Sequence, residues 1–180
     1  MAVAGAALIA PTDARGGLAT AGRLLVDLDA RDATAATAQW HNASALGGAF
    51  ERIGNPRVAE VAGIRAVQFD GKADAFRGPQ SVAEIEGDAP RSIEVWALKP
   101  VIDGIEETTV AWGRREQNAA SISLNWGTSL EFGGATHWAA DLAWSETPPA
   151  GKWRHLVYTY DGSTVSFHHN GPSKESCHAS

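Results

Sequence analysis

Alternation of apolar and polar residues is clearest near the end of the chain. Two sets of side chains alternate there: Trp153, His155, Val157 and Thr159 on one side, and Arg154, Leu156, Tyr158 and Tyr160 on the other. This period of two is typical of a β-strand. The pair Asp161-Gly162 then predicts a two-residue hairpin turn, because both central positions of such a turn need positive φ. Val165 and Phe167 continue the alternation in a second strand, and Asn170-Gly171 predicts another turn.

Shorter runs of the same kind recur along the rest of the chain, separated by Gly, Pro, Asn or Asp. They predict strands at residues 24–29, 64–69, 92–98, 108–113, 119–126 and 129–132. Residues 30–48 are predicted to form a long loop anchored by Trp40, and residues 136–144 are apolar but irregular. No segment sustains a helical period of 3.6 residues, apart from a turn or two near residues 81–85. The pattern therefore predicts an all-β, antiparallel β-sandwich.

Length and charge narrow the class of protein. A chain of 180 residues fits one domain with a core of its own. No apolar run approaches the roughly 20 residues that span a bilayer, so no membrane span is predicted. The apolar segment that opens the chain has no Lys or Arg on its N-terminal side, so no signal peptide is predicted there. The net charge of −6, with scattered Lys and Arg, argues against nucleic acid as a partner.

The aromatic composition suggests a ligand class. The chain has seven tryptophans against two tyrosines. Trp suits either a sandwich core or a face that stacks on flat, partly apolar ligands such as sugars. The single cysteine, Cys177, excludes an internal disulfide, and its polar surroundings do not resemble a catalytic thiol site.

Four short motifs follow one another along residues 24–171. The segment W-R-H-L-V-Y-T-Y-D-G-S-T-V from Trp153 resembles a W-H-H-L-V-Y-T-Y-D-G-T segment, and A-V-Q-F-D-G at residues 66–71 resembles V-x-F-D-G. S-I-E-V-W-A-L-K-P at residues 92–100 is similar to T-I-E-A-W-V-x-x-P, and residues 25–29 are similar to L-x-L-D-A. Together they resemble the laminin-G-like domains of the concanavalin A-like lectin/glucanase jelly-roll family.

The resemblance implies a jelly-roll domain at residues 23–171, with a lead-in or linker at residues 1–22 and an irregular tail at residues 172–180. It implies two antiparallel sheets packed face to face in a secreted or cell-surface protein, often one with further domains. Such domains bind glycans, glycoproteins or other proteins, some of them through Ca²⁺. The expected partners are therefore a glycan or glycoprotein and other domains of a larger parent chain.

The tail departs from the family pattern. Family members continue after the second hairpin turn with a strand such as G-x-I-D-x-V-R-I-Y, whereas this chain continues with P-S-K-E-S-C-H-A-S. His169 also takes a place where the alternation of Val165 and Phe167 would put an apolar residue. The final strand is therefore predicted to be missing, in a fragment or in a chain with a diverged end. A missing strand would leave a sheet edge that invites aggregation or a partner.

Residues 107–144 hold the predicted ligand face. On the strand at residues 120–126, Ile122, Leu124 and Trp126 are expected in the core, and Ser121, Ser123 and Asn125 on a solvent-exposed or concave surface. The predicted ligand-binding residues are Arg114, Asn125, His137, Trp138 and Asp141. Trp138 would stack on sugar C–H groups while the polar residues hold hydroxyls. The alternative is that Trp138 and Trp144 plug the sandwich edge and His137 is merely exposed.

Two acidic pairs suggest other chemistry. Asp70 and Asp74 lie on one loop, and two carboxylates there could bind Ca²⁺. The alternative is that the Asp-Gly pair simply forms a turn, which is the commoner role of such loops. Zinc at His168-His169 is not favoured, because adjacent strand residues point apart. Glu84 and Glu86 are the nearest match to the paired carboxylates of glycoside hydrolases, but the third acid of that motif is missing.

The leading hypothesis is a non-catalytic carbohydrate-recognition module. The first alternative is a protein-interaction or structural module without a sugar site. The second is a glycoside hydrolase or polysaccharide lyase.

Overall fold

The computed structural model describes residues 22–34, 38–113, 122–137, 141–170 and 175–178. Within these ranges the chain is all-β, with twelve strands in four small antiparallel sheets and a single 3₁₀ turn at Ala83–Ile85. This part of the chain holds no α-helix and no closed barrel. The prediction of an all-β, antiparallel protein is confirmed. The chain divides into two compact units, Met1–Gly78 and Pro79–Ser180.

The first unit contains five of the strands. They are β1 (Gln39–His41), β2 (Ala49–Ile53), β3 (Arg57–Val61), β4 (Ile64–Gln68) and β5 (Ala75–Arg77). One sheet has the order β1-β2-β5, and β3 and β4 form a separate hairpin. The hairpin turns through Ala62 and Gly63, whose φ angles of 52° and 77° are the positive values that a two-residue turn needs. The predicted strand at residues 64–69 is confirmed as β4.

Residues 24–29, predicted as a strand, lie in none of the strands of the structure. Their backbone groups bind the Asn42 side chain and the backbone of residues 43–46. The Asn42 amide donates to the Leu25 carbonyl at 2.9 Å and its oxygen accepts from the Asp27 N–H at 2.8 Å, while the Ala43 N–H donates to the Asp27 carbonyl at 3.1 Å. The strand prediction is wrong because these backbone groups are shared between a buried amide and a loop, and they form no regular ladder with a neighbouring strand. The predicted loop at residues 30–48 is wrong in part because it contains β1, whose Trp40 indole N–H donates to the Asp29 carbonyl at 2.9 Å.

The second unit contains the other seven strands. They are β6 (Arg91–Leu98), β7 (Thr108–Trp112), β8 (Ile122–Asn125), β9 (Ala135–His137), β10 (Trp153–Tyr160), β11 (Thr164–His169) and β12 (Glu175–His178). A four-stranded sheet has the order β12-β11-β10-β6, and a three-stranded sheet has the order β7-β8-β9. The strands predicted at residues 92–98 and 108–113 and the hairpin that begins at Trp153 are confirmed.

The two sheets of the second unit share one hydrophobic cluster. Its buried members are Leu124, Trp126, Ala135, Trp144, Leu156, Tyr158, Tyr160, Val165 and Phe167. Aromatic rings meet edge-on between the elements, with centroids 4.5 Å apart for Trp144 and Phe167 and 5.9 Å apart for Trp112 and Tyr158. The alternation in β10 and β11 thus places every second side chain against the other sheet.

The connection between β10 and β11 is longer than predicted. It has three residues, Asp161 to Ser163, and among them only Gly162 has positive φ, at 103°. The Asp161 carboxylate accepts the N–H groups of Thr164 at 2.7 Å and Ser163 at 2.9 Å. These hydrogen bonds lower the pKa of Asp161. The two-residue turn is wrong because the aspartate side chain closes the loop itself.

Two further predictions about strands are wrong. Residues 129–132 form a turn, in which the Ser129 hydroxyl accepts the N–H groups of Glu131 at 3.1 Å and Phe132 at 3.2 Å. The tail contributes a strand after all, because β12 pairs antiparallel with β11, with Cys177 opposite Val165. Pairing with an existing edge makes a strand of a polar segment that has little propensity of its own.

Candidate functional site

The predicted ligand face is described only in part. Arg114 and Trp138 lie outside the described residues. His137 is the last residue of β9, paired with Ile122, and Asp141 is exposed just before Leu142, which bridges to Ala135. The backbone of His137 therefore lies in β9, and the backbone of Asp141 lies beside this strand. The role of both residues in ligand binding stays a prediction.

Asn125 is not on a solvent-exposed surface as the sequence predicts, because its side chain is fully buried. The amide oxygen accepts the Thr108 hydroxyl at 3.0 Å, and the amide nitrogen donates to the Phe132 carbonyl at 3.0 Å. Ser123 on the same side of β8 is also buried, and so are Leu124 and Trp126 on the other side. The expected core side is confirmed for the last two. The expected exposed side is wrong, because this strand is covered on both faces.

Asp70 and Asp74, the predicted calcium pair, bind backbone N–H groups. One oxygen of Asp70 accepts the N–H groups of Ala73, Lys72 and Asp74 at 2.8–3.0 Å, which lowers the pKa of Asp70. Asp74 accepts the N–H groups of Asn55 at 2.6 Å and Asp70 at 3.1 Å. No group of three or more His, Cys, Asp or Glu side chains within the described ranges is placed to hold a metal ion. The two carboxylates thus stabilise the loop by accepting its backbone N–H groups, and calcium binding stays a prediction.

The acidic pair Glu84 and Glu86 lies on the surface. Glu84 belongs to the 3₁₀ turn, and Glu86 follows it and accepts the Ser81 hydroxyl at 2.5 Å. Both residues are exposed. Their position on a single exposed turn supplies no cleft that would desolvate a catalytic acid.

A different candidate surface lies on the four-stranded sheet. We call it the outer face, meaning the side chains of β6, β10 and β11 that point away from the hydrophobic cluster. The strand register arranges them in three rows: Trp96 and His155; Glu94, Val157 and His168; and Ser92, Thr159 and Ser166. Polar and aromatic side chains thus occupy every second position of strands whose other positions form the core.

An exposed tryptophan dominates this face. Trp96 is 64% exposed, although its ring stacks on His155 with centroids 4.7 Å apart and planes 16° apart. The Nε2 atom of His155 lies 2.8 Å from a carboxylate oxygen of Glu94. The imidazole therefore supports one face of the indole, and the opposite indole face is left to solvent. We call Trp96, His155 and Glu94 the aromatic platform.

A shallow depression adjoins the platform. It has a volume of about 220 Å³ and is lined by His155, Val157, His168 and Asn170. Asn170 is tied to β10, since its side-chain oxygen accepts the His155 N–H at 2.9 Å and its own N–H donates to the His155 carbonyl at 3.0 Å. His169 belongs to the opposite face, where its ring meets Trp144 edge-on with centroids 5.7 Å apart. The surface that lines the depression is mostly apolar, although three of its four residues carry polar groups.

The sequence contained a signal for the platform that the predictions missed. In β6, Ser92, Glu94 and Trp96 alternate with Ile93 and Val95. An apolar side of a half-buried strand goes to the core, so the other side, including Trp96, is expected outside. The stacking partner His155 carries no such signal, because it faces Trp96 through the pairing of β6 with β10.

Comparisons of the chain with protein-family models, with curated proteins and with solved structures find no match. In the part of the chain that the structure describes, no helix is long and apolar enough to cross a membrane.

Proposed function

We propose that this protein is a non-catalytic carbohydrate-recognition module that binds its glycan on the outer face. The observation that carries the proposal is the exposed indole of Trp96, held flat against His155. Sugar rings present an apolar C–H face that stacks on such an indole. Because the ring is already held by its neighbour, little side-chain entropy is lost on binding.

The polar groups around the indole suit sugar hydroxyls. The Glu94 side chain is 60% exposed and accepts hydrogen bonds, while the imidazoles of His155 and His168 and the amide of Asn170 donate or accept. Aromatic side chains with a few directional polar groups beside them are the usual lining of a small-ligand site. This combination favours glycan recognition over a purely structural sheet surface.

We also propose that the all-β fold is a jelly-roll β-sandwich. The ordered motifs and the hydrophobic cluster shared by two sheets support a β-sandwich of the concanavalin A-like jelly-roll type, as in laminin-G-like domains. The resemblance also supports a secreted or cell-surface protein with further domains. Arg114, His137, Trp138 and Asp141 remain candidates for a second contact region.

The test is glycan binding by the wild-type chain and by Trp96→Ala. We expect the wild type to bind a subset of an immobilised glycan array, and Trp96→Ala to bind at least about tenfold more weakly, a loss of about 1.4 kcal/mol. Leu130→Ala is the matched control, because Leu130 is 93% exposed on a loop of the same unit. Equal binding by the wild type and Trp96→Ala would overturn the placement of the site, and no binding to any glycan would overturn the function.

A protein-interaction module is the second candidate, favoured by a different observation. Val101, Ile105 and Leu130 are 61%, 65% and 93% exposed, and the Ser129 N–H donates to the Ile105 carbonyl at 3.0 Å, which brings the loops of Ile105 and Leu130 together. Exposed apolar side chains that cluster often mark protein contacts. Loss of a protein partner on Leu130→Asp, with glycan binding absent, would favour this alternative.

A further inference from the structure

The strand β6 forms one edge of the four-stranded sheet. In the part of the chain that the structure describes, β10 is its only strand neighbour. The two strands pair over all eight residues of β6 in one continuous register. An edge of this length presents a row of backbone N–H and C=O groups on the side away from its neighbour.

Hydrogen bonds around β10 show which backbone groups of β6 face that free side. The N–H and C=O of His155 bond to Asn170 at 2.9 and 3.0 Å, so they point toward the β11 side and away from Trp96 opposite. In an antiparallel pair, the partner of such a residue also points its backbone groups away. At the end of β6, the Lys99 carbonyl accepts the Gly151 N–H at 2.7 Å, which gives the same alternation.

The N–H and C=O groups of Ser92, Glu94 and Trp96 therefore point to the free edge, about 7 Å apart along the strand. All three residues are exposed, and none of the described residues bonds to these backbone groups. Lys, Pro and bulges commonly protect free edges in natural proteins. Residues 92–98 contain no Lys and no Pro, and their register with β10 is regular, so the edge is open to a further strand.

The side chains along this edge define the kind of strand that fits. On the outer face, Glu94 is 60% exposed and carries a negative charge on a chain of net charge −6. On the inner face, Ile93 and Val95 are only partly buried against the hydrophobic cluster. Cross-strand neighbours favour opposite charges and apolar pairs. The complementary strand therefore has a basic residue opposite Glu94 and apolar residues at the alternate positions.

We propose that the free edge of β6 binds an extended segment of a partner protein as an added antiparallel strand, with a Lys or Arg of that segment opposite Glu94. Main-chain hydrogen bonds to Ser92, Glu94 and Trp96 provide the affinity, and the Glu94 carboxylate provides the selectivity. The backbone groups of this edge lie in the plane of the sheet, whereas the Trp96 indole belongs to the outer face. The inference therefore does not rest on carbohydrate recognition, and either proposal can fail without the other.

The probe is a capped heptapeptide, Val-Thr-Val-Lys-Val-Thr-Val, with N-methyl groups on its valines. When its lysine lies opposite Glu94, the lysine and threonine N–H groups face β6 and the methylated nitrogens face away. One control peptide has glutamate in place of lysine, and another carries its methyl groups on the lysine and threonines. We expect the probe to bind about fivefold more tightly than the glutamate peptide. The peptide that is methylated on its pairing side is expected not to bind.

Hydrogen exchange of the ¹⁵N-labelled full chain, followed by nuclear magnetic resonance, locates the binding. In the free protein, the N–H groups of Ser92, Glu94 and Trp96 should exchange at least about tenfold faster than those of Ile93 and Val95, which face β10. The probe should slow exchange at the first three residues. Slow exchange there without the probe overturns the proposal: a concentration-independent rate would show that the chain covers its own edge, and a concentration-dependent rate would show a second copy.

Glu94→Lys reverses the charge at the edge and is expected to reverse the preference, so that the glutamate peptide binds more tightly than the probe. Glu131→Lys is the matched control, because it makes the same exchange at an exposed loop residue outside the sheet. It should keep the wild-type preference. Equal binding of the three peptides, or an unchanged preference in Glu94→Lys, overturns the proposal whatever the glycan array shows.

Discussion

The two faces of the four-stranded sheet are built from the same strands but have opposite character. On β6 and β10, Ile93, Leu156 and Tyr158 point into the hydrophobic cluster, whereas Trp96 and His155 point outward. Leu156 and Tyr158 have no exposed surface, while Trp96 is 64% exposed. Neighbouring residues on one strand are thus divided between the core and the face proposed to bind glycans. Single substitutions can therefore remove one property and leave the other.

The largest expected effect is on the inner face. Phe167→Ala removes a ring that is 1% exposed and packs against Trp144. The transfer and cavity terms predict a loss of about 3–5 kcal/mol in the free energy of unfolding, measured by urea denaturation followed by tryptophan fluorescence. Trp96→Ala is the outer-face counterpart, and it loses the stacking on His155, worth about 0.5–1.5 kcal/mol, together with the burial of only the smaller part of its surface, so its loss should be smaller. Equal losses for the two variants would contradict the division between the faces.

The next largest effect is a loss of stability at high pH, caused by ionisation of Tyr158 on the inner face. Burial raises the pKa of Tyr158 to about 12, against the opposing charge of Arg91. Between the ordinary tyrosine pKa near 10 and this value, the unfolded chain loses the proton and the folded chain keeps it. Stability is therefore intact below pH 10 and is expected to fall by about 1.4 kcal/mol per pH unit above it.

Tyr158→Phe tests this pH dependence. Urea midpoints measured from pH 9 to pH 11.5 should fall less steeply in the variant, because its side chain cannot ionise. A change on the outer face, such as Thr159→Val, should leave the slope of the wild type unaltered. An identical slope in Tyr158→Phe and the wild type would show that Tyr158 is not held neutral by the core.

A smaller loss of stability is expected on substitution of Asn125, a buried residue of the three-stranded sheet. Asn125→Ala leaves the Thr108 hydroxyl and the Phe132 carbonyl without their partner, which should cost about 1–3 kcal/mol of stability. Ser92→Ala on the exposed outer face should change stability by less than about 0.5 kcal/mol. If Asn125→Ala instead keeps full stability and loses glycan binding, Asn125 is a ligand contact, as the sequence suggested, and not a structural residue.

The sequence predicted strands well where the alternation was long, even for β6, whose partner β10 is distant in the chain. The bounds of β10 and β6 follow from the alternation of Trp153 to Tyr160 and of Ser92 to Leu98. Residues 24–29 show a similar pattern but bind the Asn42 side chain, and the polar tail forms β12 by pairing with β11. Both errors have one cause, because strand formation depends on a hydrogen-bonding partner that propensity does not specify.

For the candidate site, the sequence predicted a ligand face at residues 107–144, which the structure describes only in part. It placed Asn125 on an exposed side, although both sides of β8 are covered. It left Trp96 without a role, although Ser92, Glu94 and Trp96 alternate with apolar neighbours. The platform needs the register of β6 with β10, which brings His155 opposite Trp96. That register is a long-range property, and the local pattern does not contain it.

The sequence by itself determined that this chain is all-β, and it determined which residues of β6, β10 and β11 share a side. Both follow from the period of two that an extended backbone imposes on its own side chains. The tertiary structure decided which strands pair, that β8 is buried on both sides, and that Trp96, His155 and Glu94 come together. Strand pairing and cross-strand contact depend on the packing of distant segments, so they arise only when the sheets assemble.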